Sequence, residues 1–194
     1  FPSFQNAQRR IYMSATIADD SELVRSFNIS IDSLKNQLKS NSLAGISERM
    51  ILIPELMPFQ FNIDDTIKKV VNWLSENKKK VLILTPSTLQ SEKWRDVSKI
   101  PKNNSEVDTF IKELINGTSD TPLTLINRYD GIDLPGEACR LVVMDELPKG
   151  TSDYDNFRAM ALAGGAAINQ LLAQRIEQGI GRGARGSGDY CIII

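Results

Sequence analysis

The stretch VLILTPST, residues 81–88, opens with five residues without a charge, four of them branched aliphatics, and runs straight into a polar turn. A strand with one wet face alternates apolar and polar residues, so an unbroken run of this kind marks a strand buried on both faces, the habit of parallel sheets covered by helices. The pattern repeats outward along the chain. ERMILIP (48–54), LTLIN (123–127), CRLVVMD (139–145) and DYCIII (189–194) read as further strands. Between them lie segments of helical period. IDDTIKKVVNWLSEN (63–77) sets Ile63, Ile67, Val70, Val71 and Leu74 on one face. STLQSEKWRDVS (87–98) reads as a helix capped by Ser87, SEVDTFIKELING (105–117) as one stopped by Gly117, and AINQLLAQRIEQ (167–178) as a long amphipathic helix. Nearer the start, RRIYMSAT (9–16) reads as a short strand entering a turn, SELVRSF (21–27) as a helix opened by Ser21, and 29–47 as an irregular connector. Strands separated by helices predict an α/β fold with a mainly parallel central sheet and helices on both faces.

Composition narrows the chemistry. The 194 residues are 41% hydrophobic, enough for one substantial core, and 23 basic residues against 24 acidic ones give a net charge of -1. A polyanion partner would therefore have to meet a local basic cleft. There is no histidine, which excludes His-based triads and His-ligated metals within the chain, and no metal site is expected. Cys139 and Cys191 stand far apart in apolar runs and read as reduced core residues. With no apolar run of about eighteen residues, a soluble, cytoplasmic protein without membrane contact is expected. The start at Phe1 and the finish inside CIII suggest a piece of something longer.

In parallel α/β sheets ligands gather at the carboxyl ends of the strands. The loops there are TPST (85–88), NRYDGIDLPG (127–136) and DELPKG (145–150), with a glycine- and arginine-rich segment, QGIGRGAR (178–185), after the last long helix. Gln178, Arg182 and Arg185 are spaced four and three, so a helix continuing that far would put all three on one face. A guanidinium forks onto phosphate oxygens, while a solvated glycine–arginine loop is the alternative for this segment taken alone.

The segments SAT (14–16), VLILTPS, NRYDGIDLPG and QGIGRGAR resemble, in order, motifs III, IV, V and VI of the superfamily 2 helicases. Asp130 before Gly131, followed by IDLPG, is more similar to the XPD and DinG-like helicases than to DEAD-box proteins. The resemblance implies a three-layer RecA-like domain of the P-loop NTPase type. It implies arginine fingers at Arg182 and Arg185 with Gln178 beside them, nucleotide contact at Gly131, Asp133 and Gly181, and interdomain coupling through Ser14, Ala15 and Thr16. Asn127 and Arg128 become candidates for single-stranded nucleic-acid phosphates, DNA in the first instance. Thr85 and Ser87 are weaker candidates, Ser87 capping its helix in either case. On this view 1–20 is the tail of a preceding RecA-like domain and 21–194 the second, helicase C-terminal one. ATP and Mg²⁺ would be bound mainly by that first domain, the partner of this one in the parent chain.

The sequence holds no G-x-x-x-x-G-K-[ST] stretch. LVVMDE (141–146) therefore imitates a Walker B strand without the P-loop it needs, and Asp145 and Glu146 read as an ordinary strand end. The isolated chain is expected to bind no cofactor and to hydrolyse no ATP. A non-catalytic RecA-like module that binds nucleic acid or a partner is the competing expectation. Trp73 and Trp94 read as helix-face packing, NKKK (77–80) as a solvated turn, and replacing Arg182 is expected to leave stability nearly unchanged.

Overall fold

The computed structural model describes residues 2–12, 21–35, 38, 48–58, 62–129, 131–148, 157, 160–161, 166–183 and 189–194. The chain forms two compact units, Phe1–Asn41 and Ser42–Ile194. The first contains α1 (Pro2–Gln5), α2 (Ser21–Phe27) and α3 (Ile31–Leu34). Its small apolar centre is aromatic: the Phe27 ring lies 5.9 Å from Phe4 and 5.2 Å from Tyr12. Two expectations change here. Residues 9–12 form no strand, and the connector 29–47 contains a helical turn, because the Ser30 hydroxyl accepts the Ser33 N–H at 3.2 Å and caps α3. The SAT residues Ser14, Ala15 and Thr16 lie outside the described residues.

The second unit carries β1 (Glu48–Ile51), α4 (Ile63–Glu76), β2 (Val81–Thr85), α5 (Thr88–Ser91), α6 (Asn104–Asn116), β3 (Leu123–Ile126), β4 (Leu141–Met144), α7 (Ala166–Ile180) and β5 (Tyr190–Ile193). The strands form one sheet in the order β1-β5-β4-β2-β3, every pair parallel. Period-two alternation divides the strand side chains between two cores. Leu82, Leu84, Val142, Cys191 and Ile193 join Val107 and Leu114 of α6 on one face. Val81, Ile83, Leu141 and Val143 join Val71 of α4 and Trp94 on the other. This is the α/β, three-layer arrangement that the continuous apolar runs predicted.

Helix ends follow their caps. Asn62 and Asn103 accept the N–H of Asp65 (3.2 Å) and Glu106 (2.9 Å), opening α4 and α6, and Gly117 closes α6 at φ 70°. The helix expected over 87–98 is shorter. α5 gives way to a 3₁₀ turn at Glu92–Trp94, whose tighter winding brings Trp94 inward, where it is 1% exposed. Trp73, by contrast, is 61% exposed and joins neither core among the described residues, in place of the helix-face packing expected of it.

At the start of β4 the N–H groups of Arg140 (2.9 Å) and Leu141 (3.4 Å) both reach the Lys80 carbonyl, a bulge that offsets the alternation. Cys139 thereby shares a core with Cys191. Both cysteines are buried and unbridged, and the Cys191 thiol, together with burial, pushes the Cys139 thiol well above the usual range. Among the described residues, no helix is long and apolar enough to cross a membrane.

Candidate functional site

Parallel pairing brings the carboxyl ends of β2, β3 and β4 to one edge. Just past β3, Asn127 takes a left-handed φ of 51° while its N–H donates to the Thr85 carbonyl at 2.7 Å. Just past β4, Glu146 is left-handed as well, at φ 71°, with its carboxylate accepting from the Gln90 amide. Asparagine tolerates that conformation, whereas glutamate is held in it at a cost of about 1–3 kcal/mol, strain typical of a functional edge.

The rim beside β3 is basic and open. Arg128 donates to the Asn104 side chain and borders a shallow cleft of about 120 Å³ together with Lys102, Asn103, Val107 and Leu125. The cleft lies against the first turn of α6, where Asn103 takes the Glu106 N–H and the Glu106 carboxylate takes the Lys102 N–H at 2.8 Å, so the two side-chain cations supply its positive character. Sequence reasoning singled out Arg128 and missed Lys102 and Asn104, because the loop before α6 resembles no motif. Its run of Lys and Asn before a helical period was the available signal.

The other candidates divide sharply. Thr85 is fully buried, its hydroxyl facing the carbonyls of Ser87 (3.4 Å) and Leu125 (3.5 Å), so a phosphate contact through that hydroxyl is ruled out by burial. Ser87 accepts the Gln90 N–H at 3.3 Å and caps α5. Gly131 (φ 74°) and Asp133 are exposed, and Gly131 occupies a conformation that other residues resist. Gln178 is half-buried near the end of α7. Asp130 and Arg185 lie outside the described residues.

Arg182 departs most from expectation. α7 stops at Ile180, so the helix expected to put Gln178 and Arg182 on one face does not reach Arg182. The Arg182 side chain turns inward and is 5% exposed. Its Nε donates to the Tyr129 carbonyl at 2.9 Å, Nη2 to that same carbonyl, and Nη1 to the Ile132 carbonyl. Its own carbonyl accepts the Leu134 N–H at 3.2 Å. Gly181 accompanies it in the turn, its N–H on the Glu177 carbonyl at 3.0 Å. Gly183 follows, pressed so closely on the core that a Cβ there would stand 2.3 Å from Cys191 Sγ. The fork expected to meet phosphate instead meets the main chain of the 127–136 loop, because those carbonyls lie outside any strand and need donors.

The strand-end acid is committed too. Asp145 is 9% exposed, with Lys93 Nζ 2.6 Å from Oδ1 and Trp94 Nε1 donating to Oδ2 at 2.8 Å. Partial burial pulls the Lys93 pKa down, but the Asp145 carboxylate outweighs it and holds the ammonium above the ordinary lysine range. Among the described residues no group of three acidic or cysteine side chains gathers to hold a metal.

No family model matches the sequence, and no curated protein matches it. Solved structures do. One of an XPD helicase aligns over 93% of this chain and 37% of its own length, with 14% identity and a TM-score of 0.57. One of XPD in its apo form aligns over 93% and 42%, with 15% identity and a TM-score of 0.56. The chain spans about two-fifths of those structures and has the RecA-like fold that they contain.

Proposed function

We propose that this chain is the second RecA-like motor domain of an ATP-dependent helicase or translocase, with its nucleic-acid contact at the Arg128 rim. The observation that carries the reading is the placement of Arg128, Lys102 and the α6 N-terminus around one cleft at the carboxyl edge of a sheet of the XPD-helicase fold. Phosphate oxygens match such a site: they accept from a guanidinium and an ammonium without regard to base sequence. Asn127, left-handed and exposed beside Arg128, offers an amide to the same backbone. Single-stranded DNA is the proposed ligand.

On the nucleotide side, Arg185 is the finger and Gln178, Gly181, Gly131 and Asp133 are the further contacts to a nucleotide held by another domain of the same protein. When bound there, ATP supplies the phosphoryl group whose transfer drives movement. This chain's part is to present positive charge to it. Ser14, Ala15 and Thr16 belong to the coupling between the two halves. The buried state of Arg182 favours a second reading, a RecA-like module that binds nucleic acid without turnover.

Oligonucleotide anisotropy tests the first part. Arg128→Ala and Lys102→Ala should each weaken single-stranded DNA binding equally for unrelated sequences and lower the salt slope by about one. Loss confined to one sequence would replace phosphate contact with base readout. Arg185→Ala in a longer protein that includes a P-loop should cut kcat by about 10³-fold or more with little change in nucleotide Kd. Unchanged kcat would show that Arg185 does not act on the transferred phosphoryl group.

A further inference from the structure

Among its described residues, the loop from Tyr129 to Gly136 has no strand of its own, yet Tyr129, Ile132 and Leu134 are core residues. Its main chain is held by residues from the far end of the sequence. Arg182 takes the carbonyls of Tyr129 and Ile132 with its guanidinium and the Leu134 N–H with its carbonyl. Asp189 takes the Gly136 N–H on Oδ2 at 2.9 Å and Arg140 Nη1 on Oδ1 at 2.7 Å. Arg140 in turn donates to the Tyr190 carbonyl at 2.7 Å and stacks 3.9 Å above the Tyr190 ring, which ties Asp189 to the starts of β4 and β5. One contiguous loop is therefore pinned at its middle by Arg182 and at its end by Asp189. Both pins adjoin packed structure, Arg182 because Gly183 beside it abuts Cys191, Asp189 because it leads directly into β5.

The residue types fit that task. Carbonyls at 129 and 132 diverge, and a planar guanidinium with five donors spans them where an ammonium would reach one. A carboxylate accepts a backbone N–H and a guanidinium at once, with charge-assisted strength. Neither residue lines the cleft at Arg128, but Arg128 is the immediate neighbour of Tyr129, the first residue that Arg182 grips.

We propose that Arg182 and Asp189 are positioning residues that, acting through Tyr129–Gly136, fix Arg128 at the cleft, so that damage to either weakens binding at a site neither touches. The inference rests on the reading above for the nature of the ligand alone; the pinning itself does not depend on it.

The test uses the 194-residue chain with Arg182→Lys, Asp189→Ala and Asp189→Asn, followed by hydrogen exchange and by anisotropy with a fluorescent oligothymidylate. Arg182→Lys keeps the charge and loses the fork. Asp189→Ala removes a negative charge, which by electrostatics alone would strengthen binding of a polyanion. Asp189→Asn keeps an oxygen for the Gly136 N–H. The expected result is exchange at least about tenfold faster over 129–136 in Arg182→Lys and Asp189→Ala, with β2 and β4 unchanged. Oligothymidylate binding should weaken by roughly tenfold in both and return to near wild type in Asp189→Asn. Unchanged exchange over 129–136, exchange accelerated equally in β2 and β4, or tighter binding in Asp189→Ala would each overturn the proposal. Should Arg182→Lys fail to fold, the Asp189 pair alone decides it by the same criteria. If wild type binds no oligothymidylate while exchange changes as expected, the nucleic-acid reading fails and the pinning stands.

Discussion

The rim around Arg128 and the seam around Arg182 meet at a single peptide bond, where Arg128 joins Tyr129, yet they are built by opposite rules. At the rim, cations face a cleft with few protein partners: Lys102 is exposed, and Arg128 leans on one asparagine. At the seam, every donor of known direction points into the protein, and Tyr129, Ile132 and Leu134 are buried beside it. An arginine at the rim keeps its charge available to a ligand. An arginine at the seam uses the same chemistry to satisfy carbonyls that no strand satisfies. A single motif thus contains both a contact and its foundation, and spacing along the chain does not separate them.

The largest effect expected from this contrast is on stability. Arg182→Ala would leave the Tyr129 and Ile132 carbonyls without their donor in a buried setting, a loss of about 3 kcal/mol, measurable as a lower urea midpoint. Arg128→Ala in the same assay should barely move it. Equal midpoints for the two variants would break the distinction between rim and seam.

Next comes Gly183→Ala. A methyl group 2.3 Å from Cys191 Sγ cannot be accommodated unless the Cys191 side chain or the backbone shifts, so a loss of about 1–3 kcal/mol is expected. Because Gly183 adjoins Arg182, the loss should be accompanied by faster exchange in 129–134. A stable variant with native exchange would show the seam to be looser than its contacts indicate.

Tyr129→Phe sharpens the comparison at smaller scale. The Tyr129 hydroxyl is buried with no hydrogen-bond partner among the described residues, and burial, with Asp145 nearby, pushes its pKa to about 12. Removing an unpartnered hydroxyl should be neutral or stabilising by up to about 1 kcal/mol at neutral pH. The sign of the pH effect follows from linkage. A proton held more tightly in the folded state gives stability that is complete below the unfolded tyrosine pKa of roughly 10 and is lost as pH rises toward the folded value. Denaturation followed from pH 9 upward should therefore show an alkaline decline in wild type that is reduced in Tyr129→Phe. An identical decline in both proteins would assign it elsewhere.

The smallest effect on the fold belongs to Arg128→Ala, within about 0.5 kcal/mol of wild type, although it should affect oligonucleotide binding most. A substantial loss of stability there would move Arg128 from the rim to the seam.

Much of this architecture is legible in the sequence because its causes are local or periodic. The runs at 81–85 and 141–144 have no polar face to offer water, so they become central strands of a parallel sheet, and their carboxyl ends locate the ligand edge. Asn103 before α6, Ser87 before α5 and Gly117 after α6 act within a few residues of themselves, and each stands where its cap requires. The absence of histidine and of a P-loop is also a property of the sequence alone. Tertiary structure decided where the polar side chains point. Arg182 and Arg128 are the same residue type in loops of similar composition, and only the approach of the carbonyls of 129 and 132, more than forty positions away, turns one inward. Thr85 lost its access to ligand because β3 packs beside it, and Lys102 joined Arg128 because α6 precedes β3 across the cleft. Hydrophobic burial is set by how often apolar residues recur. The direction of a hydrogen bond is set by which partner the folded chain brings within 3 Å, and that is a property of the whole.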